Sequence, residues 1–316
     1  MKVLILGGSG YVGGRLYERL SATAAMQPCR MSHRELDTCD RAALTRALTG
    51  IDAVINCVAG DYRSIAEGAR ELAYAAQAAK CARIIHFSSL AAYGRSEGLI
   101  GEGSAFDPGL GWYARAKCEA EAHITAFALQ GGQVVTLRPG CVYGPDSQLW
   151  VGRLGRWLCD RRVGDLGSAG DGWSNLVHID DVCDAAVRAL TLPVTNGCNV
   201  AFNLAASDSP RWNVYLRDLA IAIGAIPVRR VSSRRLWIDS AILGPPLKAF
   251  ERLLDAVHLP HEWLPDPLPP SVLRLWSQDI RLNARAATEV LQLNWIRYEI
   301  GLEQSARWFL ARHLSR

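Results

Sequence analysis

The chain begins MKVLILGGSGYVGGRLYERL, and the glycines at positions 7, 8, 10, 13 and 14 leave few folds open to it. The apolar run Val3–Leu6 passes directly into Gly7-Gly8, and helix-forming sequence comes next. Two overlapping frames, Gly7-x-x-Gly10-x-x-Gly13 and Gly8-x-Gly10-x-x-Gly13, have the spacing of a strand–turn–helix that wraps a pyrophosphate. The tight turn needs φ/ψ values that only glycine adopts freely. The backbone must also approach phosphate with no Cβ in the way, and the helix must pack closely on the strand. Free N–H groups at the helix start then face the anion. Gly7, Ser9, Gly10, Tyr11, Val12 and Gly13 are therefore the candidate loop for a dinucleotide cofactor.

The alternation of strand and helix continues down the chain. Strand-like runs at Pro28–Ser32, IDAVINCVAG, RIIHFSS and VVTLRPG alternate with helical segments at Arg15–Leu20, Asp40–Leu48, ARELAYAAQAAKCA and Trp112–Leu129. Such alternation predicts an α/β fold, a Rossmann doubly wound parallel sheet. After Gly144-Pro145 the alternation lapses, returns in NLVHIDDVCDAAVRAL and AFNLAA, and from Pro210 gives way to mostly helical sequence. Within the latter, prolines at 260, 265, 267, 269 and 270 predict an irregular stretch. The expected organisation is a dinucleotide-binding domain of residues 1–148 plus about 175–205. A smaller, mostly helical substrate domain would comprise about 149–174 plus 206–316. Nine of the ten tryptophans fall at or after position 150, and the area each buries makes ordinary packing their expected role.

Composition narrows the function classes. A formal charge of +4, with the arginines scattered, does not suit a nucleic-acid partner. The nine cysteines form no CxxC pair, which favours reduced thiols in a cytoplasmic protein over a disulfide framework or a metal site. The six-residue apolar start is too short for a signal peptide, and no apolar stretch approaches a membrane span. The expected partner is a small molecule.

The chemistry is expected around Tyr113-Ala-Arg-Ala-Lys117. The i, i+4 spacing on a helix sets phenol and ammonium on one face, one turn apart. A Lys⁺ beside a Tyr, helped by an oxidised nicotinamide, is expected to pull the phenol down towards neutrality. The phenol can then exchange a proton with a carbonyl or alcohol as hydride moves. Ser88-Ser89 closes the strand RIIHFSS, where a serine can hydrogen-bond the same oxygen.

On these residues the chain resembles the extended short-chain dehydrogenase/reductases, the NAD(P)-dependent epimerase/dehydratase-like group. The likeness runs through GGSGYVGG, Asp37-Thr-Cys-Asp40, NCVAG, HFSSLAAYG, YARAK, RPGCVYGP and NLVHIDDV, and returns in DIRLNARAATEVLQLNW. Residues 231–276 resemble nothing in it. The resemblance implies Tyr113 as acid/base and Lys117 as its partner and holder of the nicotinamide ribose. It also implies Ser89, rather than Ser88, as the catalytic hydroxyl. It further implies Gly7, Gly10 and Gly13 at the pyrophosphate, Asp37 at the adenine, Val58 and Ala59 flanking the adenosine, and the backbone of Pro139–Val142 by the nicotinamide. A homodimer is implied by the resemblance alone.

Three positions divide the branches of that group. The Asp-Glu pair of sugar-nucleotide dehydratases is here Leu90-Ala91, and two diphosphate contacts usual in nucleotide-sugar epimerases are here Cys141 and Ser174. The expectation is an oxidoreductase, a ketoreductase or alcohol dehydrogenase, acting on a small, rather apolar carbonyl or hydroxyl compound. A sugar or sugar-nucleotide epimerase is the first alternative, and a non-catalytic NAD(P)-sensing protein the second. NADP(H) is favoured over NAD(H). The second strand is expected to end at Ser32, His33 and Arg34, with no acid before Glu35 to take a ribose 2′-hydroxyl. Arg34, helped by His33 or Arg30, suits a 2′-phosphate. His178 is expected as structural support, and Asp180 and Asp181 as helix caps.

Overall fold

The structure, a computed structural model, describes residues 1–256 and 265–313. Pro260 of the proline-rich stretch lies outside the described residues. The chain forms two compact units. The first comprises Met1–Val142, Val177–Ser207 and Leu282–Ile296, and the second Tyr143–Leu176, Asp208–Arg281 and Arg297–Arg316.

The first unit is built on a six-stranded parallel sheet. Its strands are β1 (Lys2–Leu6), β2 (Gln27–Met31), β3 (Ala53–Asn56), β4 (Arg83–Phe87), β5 (Gln133–Pro139) and β6 (Asn199–Leu204). They lie in the order β2-β1-β3-β4-β5-β6. Helices α1 (Tyr11–Ser21), α2 (Arg41–Leu48), α3 (Gly68–Ala79), α4 (Trp112–Leu129) and α5 (Ile179–Thr191) connect or flank the strands. A sheet covered on both faces needs apolar side chains on both, and period-2 alternation divides them. Val3, Ile5, Ile55, Ile85, Val135 and Leu137 pack on one face with Leu16, Leu20, Val182 and Ala186 of α1 and α5. Leu4, Leu6, Val54, Ile84 and Val134 pack on the other with Leu44, Leu72, Ala116 and Ile124 of α2, α3 and α4. This is the doubly wound arrangement. Leu282–Ile296, assigned above to the substrate domain, sits in this first unit because Ala287, Leu291 and Leu293 join the core of Val3 and Ile5.

The second unit is mostly helical among the described residues, with helices Arg153–Cys159, Trp212–Ala222, Ser233–Trp237, Gly244–Ala256, Pro270–Ser277 and Tyr298–His313. Trp157, Trp212 and Trp276 are fully buried at its centre. Trp157 meets Trp276 edge-on at 6.1 Å, so these rings are core. Residues 265–269 are irregular as expected, but Pro270 opens a helix. A proline is well placed at the first helical position, where its missing N–H has no intrahelical partner to lose.

Two substitutions test the first unit. A Cβ on Gly13 would stand 2.4 Å from the Gly7 carbonyl oxygen, which is backbone and cannot swing aside. Alanine gains about 1 kcal/mol of helix propensity, against an overpacking cost that a clash with backbone sets at the upper end of its usual range, about 2–3 kcal/mol. Gly13→Ala is therefore expected to be less stable in urea unfolding by about 1–2 kcal/mol. Equal or greater stability would show that the loop has room. The second test concerns His86 on β4, which burial pushes down to about 3. The unfolded chain binds a proton that the folded chain refuses, so stability is constant above pH 6.5 and is lost as pH falls from there towards 3. Between pH 6.5 and pH 5 this one group removes about 2 kcal/mol. His86→Gln should flatten the pH dependence by that amount, and an unchanged slope would assign the acid lability elsewhere.

Candidate active site

β1 ends at Leu6, and Gly7 turns the chain at φ +76°. The Gly10 N–H donates to the Gly7 carbonyl at 3.0 Å, and the Gly14 N–H to the Gly10 carbonyl at 2.8 Å. Gly10 is the N-cap of α1 and offers no side-chain acceptor to the first helical N–H groups. A Cβ on Gly7 would lie 2.9 Å from the Cys57 carbonyl oxygen. The glycines thus let β1, the start of α1 and the residues after β3 close on one another, leaving helix N–H groups for an anion. Tyr11 and Val12 are half-buried against the core, and Ser9 is exposed. The loop fits a dinucleotide pyrophosphate.

Beyond the loop, β2 ends at Met31, one residue earlier than expected, and Ser32 begins a turn. The cause is Glu35, whose carboxylate accepts from the Ser32 N–H at 2.7 Å and from the Ser32 hydroxyl at 2.8 Å. These bonds hold Glu35 below its ordinary value and occupy the nearest acid. A cleft of about 630 Å³ is lined here by Ser9, Arg30, Ser32, Arg34 and Glu35. The Arg30 guanidinium stacks over Tyr17 at 4.5 Å. Arg34 is exposed and has no hydrogen-bond or ion-pair partner among the described residues. His33 is exposed and outside the cleft lining. Asp37 is exposed, with its carboxylate accepting from the Cys39 N–H at 2.8 Å. The Val58 N–H donates to Asn56 Oδ1 at 3.1 Å, which fixes the chain after β3 and leaves Ala59 exposed.

The catalytic candidates meet where β4 ends. Lys117 is 3% exposed, and its Nζ donates to the Phe87 carbonyl at 2.8 Å. The ammonium stands 5.9 Å from the centre of the Tyr113 ring. Burial lowers Lys117 to about 8, with the Glu121 charge opposing the shift. Ser89 caps the turn Leu90–Tyr93, its Oγ accepting from the Ala91 N–H at 3.2 Å. The same hydroxyl lies near the half-buried Tyr113 phenol and favours its ionised form. Ser88 Oγ is buried with no partner among the described residues. In the chain by itself Tyr113 is raised, not lowered. Desolvation of the phenolate outweighs the Ser89 hydroxyl, so the chain's own groups do not bring the phenol towards neutrality and that task is left to a cationic ring beside it.

Pro139 is buried and Val142 half-buried at the end of β5. Cys141 between them is a fully buried thiol, raised well above its ordinary value by burial. Ser174, in the second unit, is also fully buried, and its hydroxyl donates to the Pro210 carbonyl at 2.6 Å. Leu90 is buried. The caps before α5 are assigned differently from the expectation. His178 Nδ1 accepts from the Asp180 N–H, whereas Asp180 pairs with Arg15 of α1 at 2.8 Å and Asp181 accepts from the Ile296 N–H. The expectations above also pass over Arg138, a charge among apolar β5 residues that pairs in the core with Glu121 of α4. A lone cation inside a buried strand run was the available signal.

Among the described residues no helix is long and apolar enough to cross a membrane. None of the curated proteins matches the chain by sequence. The fold is shared with UDP-glucuronic acid 4-epimerase from Bacillus cereus in complex with NAD, at 17% identity, TM-score 0.74 and coverage of 100% of this chain and 98% of that one. It is also shared with MoeE5 in complex with UDP-glucose and NAD, at 20% identity, TM-score 0.69 and coverage of 99% and 100%. A third neighbour is UDP-glucose-4-epimerase from Stenotrophomonas maltophila with bound NAD and formylated UDP-arabinopyranose, at 16% identity, TM-score 0.73 and coverage of 100% of both chains. The profile of the family described as NAD dependent epimerase/dehydratase matches residues 3–205. With its glycine loop, parallel sheet and Tyr-x-x-x-Lys helix, the chain belongs to the NAD dependent epimerase/dehydratase family of extended short-chain dehydrogenases/reductases.

Proposed function

We propose that the chain is a nicotinamide-dependent epimerase acting at a secondary carbinol of a sugar or sugar nucleotide, with Tyr113 as its acid/base. The observation that carries this reading is the Ser89–Tyr113–Lys117 cluster at the end of β4. The family and the UDP-sugar epimerases among the structural neighbours support the substrate class over an apolar ketone. Gly7, Gly10 and Gly13 would hold the pyrophosphate, Val58 and Ala59 the adenosine, and Pro139–Val142 the nicotinamide. When bound, the nicotinamide supplies a hydride acceptor and donor. Tyr113 takes the proton from the substrate hydroxyl as that carbon is oxidised to a carbonyl, and returns it to the same oxygen as the carbonyl is reduced again on its opposite face. Ser89 donates a hydrogen bond to the oxygen on which that proton moves. Lys117, fixed on the Phe87 carbonyl, supplies positive charge beside the phenolate. Tyr113→Phe should keep cofactor binding and lower kcat by about 10²–10⁴-fold. Near wild-type inversion in this variant, followed by NMR on a panel of UDP- and GDP-sugars, would remove Tyr113 from the chemistry.

A second reading, net reduction of a small carbonyl with NADPH, is favoured by different residues. Cys141 and the internally bonded Ser174 supply neither of the expected diphosphate contacts. Arg34 is unpaired among the described residues, in a cleft whose nearest acid is held by Ser32. On this reading Arg34→Ala weakens NADPH binding by about 10–150-fold, the loss of one charge-assisted pair, and leaves NADH unchanged. Calorimetry decides it: equal affinity for the two cofactors in the wild type, or micromolar binding of a nucleotide sugar to the loaded protein, excludes the reductase and supports the epimerase.

A further inference from the structure

The buried pair of Arg138 and Glu121 has partners that reach further than a core ion pair needs. Arg138 is 6% exposed and Glu121 3%. The guanidinium grips the carboxylate through Nε at 3.0 Å and Nη2 at 2.7 Å. Its remaining nitrogen, Nη1, donates to the Tyr93 hydroxyl at 2.9 Å and to the Glu102 carbonyl at 2.8 Å. The Tyr93 hydroxyl in turn donates to Asn203 Oδ1 at 2.7 Å. Each anchor belongs to a different element: Glu121 to α4, Arg138 to β5, Asn203 to β6, and Tyr93 to the turn that Ser89 caps.

The placement along the chain gives these bonds their consequence. Glu121 lies one turn after Lys117 and two turns after Tyr113 on the same helix. Tyr93 closes the four-residue turn whose N-cap is Ser89. Ser89 and Tyr113 therefore stand on two separate elements, and Arg138 is bonded to both. A planar guanidinium with five fixed donors can bridge a carboxylate, a hydroxyl and a carbonyl at once, which an ammonium cannot. A salt bridge at this depth is not in itself a source of stability, because desolvation offsets the attraction. Registering one element against another is the best-attested use of such a group.

We propose that Arg138, with Glu121 and Tyr93, is a positioning device that locks the Ser89 turn to the helix carrying Tyr113 and Lys117. It acts through Ser89 and touches no reacting atom. The proposal rests on the reading of Ser89 and Tyr113 as partners at the reacting oxygen.

The test needs no substrate. In the NAD⁺-saturated full chain, the ionisation of Tyr113 is isolated among the nine tyrosines by subtracting the tyrosinate absorbance of the matching Tyr113→Phe protein. Tyr93→Phe keeps the ion pair and removes the single hydroxyl that joins it to the turn. Arg138→Lys keeps the charge and removes the fork. Both should raise the Tyr113 midpoint by about one pH unit, as expected when the Ser89 hydroxyl, which favours the phenolate, is displaced. Val135→Ala, a core truncation on the same strand, should lower Tm at least as much and leave the midpoint in place. Unmoved midpoints in Tyr93→Phe and Arg138→Lys, or an equal displacement in Val135→Ala, overturn the proposal. The wild-type midpoint reports separately on the proposed function: a value near neutrality supports Tyr113 as acid/base, and one above 10 counts against it without affecting the displacement between variants.

Discussion

The site depends on keeping an ammonium group inside a protein. Lys117 is nearly fully buried, and burial lowers it from 10.5 to about 8, a net cost of charging it there on the order of 3 kcal/mol. A parallel sheet offers a natural partner for such a charge. At the end of β4 the Phe87 carbonyl is free of the ladder and accepts from Nζ at 2.8 Å. Helix α4 has to deliver the lysine at that height and no other, so its packing on the sheet through Ala116, Ala120 and Ile124 sets the geometry of the candidate site as well as the core. Small residues at 116 and 120 on either side of the lysine let the helix lie close enough for a four-carbon stem to reach the strand end.

Much of this was legible before any coordinates because the features are local and periodic. The glycine spacing, the apolar strand runs and the i, i+4 pair are each set by neighbours a few residues away. The expected bounds of α4, Trp112–Leu129, coincide with the observed ones. Long-range decisions were hidden. Ala287 and Leu291 have the i, i+4 spacing of any apolar helical face, and nothing in that spacing says which unit they join. Asp180 and Asp181 look like caps from their position, but the acceptor for the Asp180 N–H comes from His178. Both carboxylates are then free to reach Arg15 and Ile296, 165 and 115 residues away along the chain. The direction of the Tyr113 shift in the chain by itself is hidden for a related reason. Helical spacing reveals the lysine one turn away but is silent on how much water is excluded from the phenol.

The two units also differ in how far their sequence reveals their work. In the first, a charged or polar group within an apolar run marks a constraint: Lys117, Arg138 and His86 are each buried with a nameable partner or a nameable cost. In the second, the informative residues are large and apolar. Trp157, Trp212 and Trp276 pack on one another, and Ser174 spends its hydroxyl on the Pro210 carbonyl. Aromatic packing of this kind fixes a shape without fixing a chemistry, since a ring edge or face tolerates many ligands. Charge-assisted contacts are selective in the opposite way, because leaving one unpaired is costly. Ser89, Tyr113 and Lys117 are therefore readable in the sequence as candidates for a reaction type, whereas the rings of the second unit and the internally bonded Ser174 name no ligand.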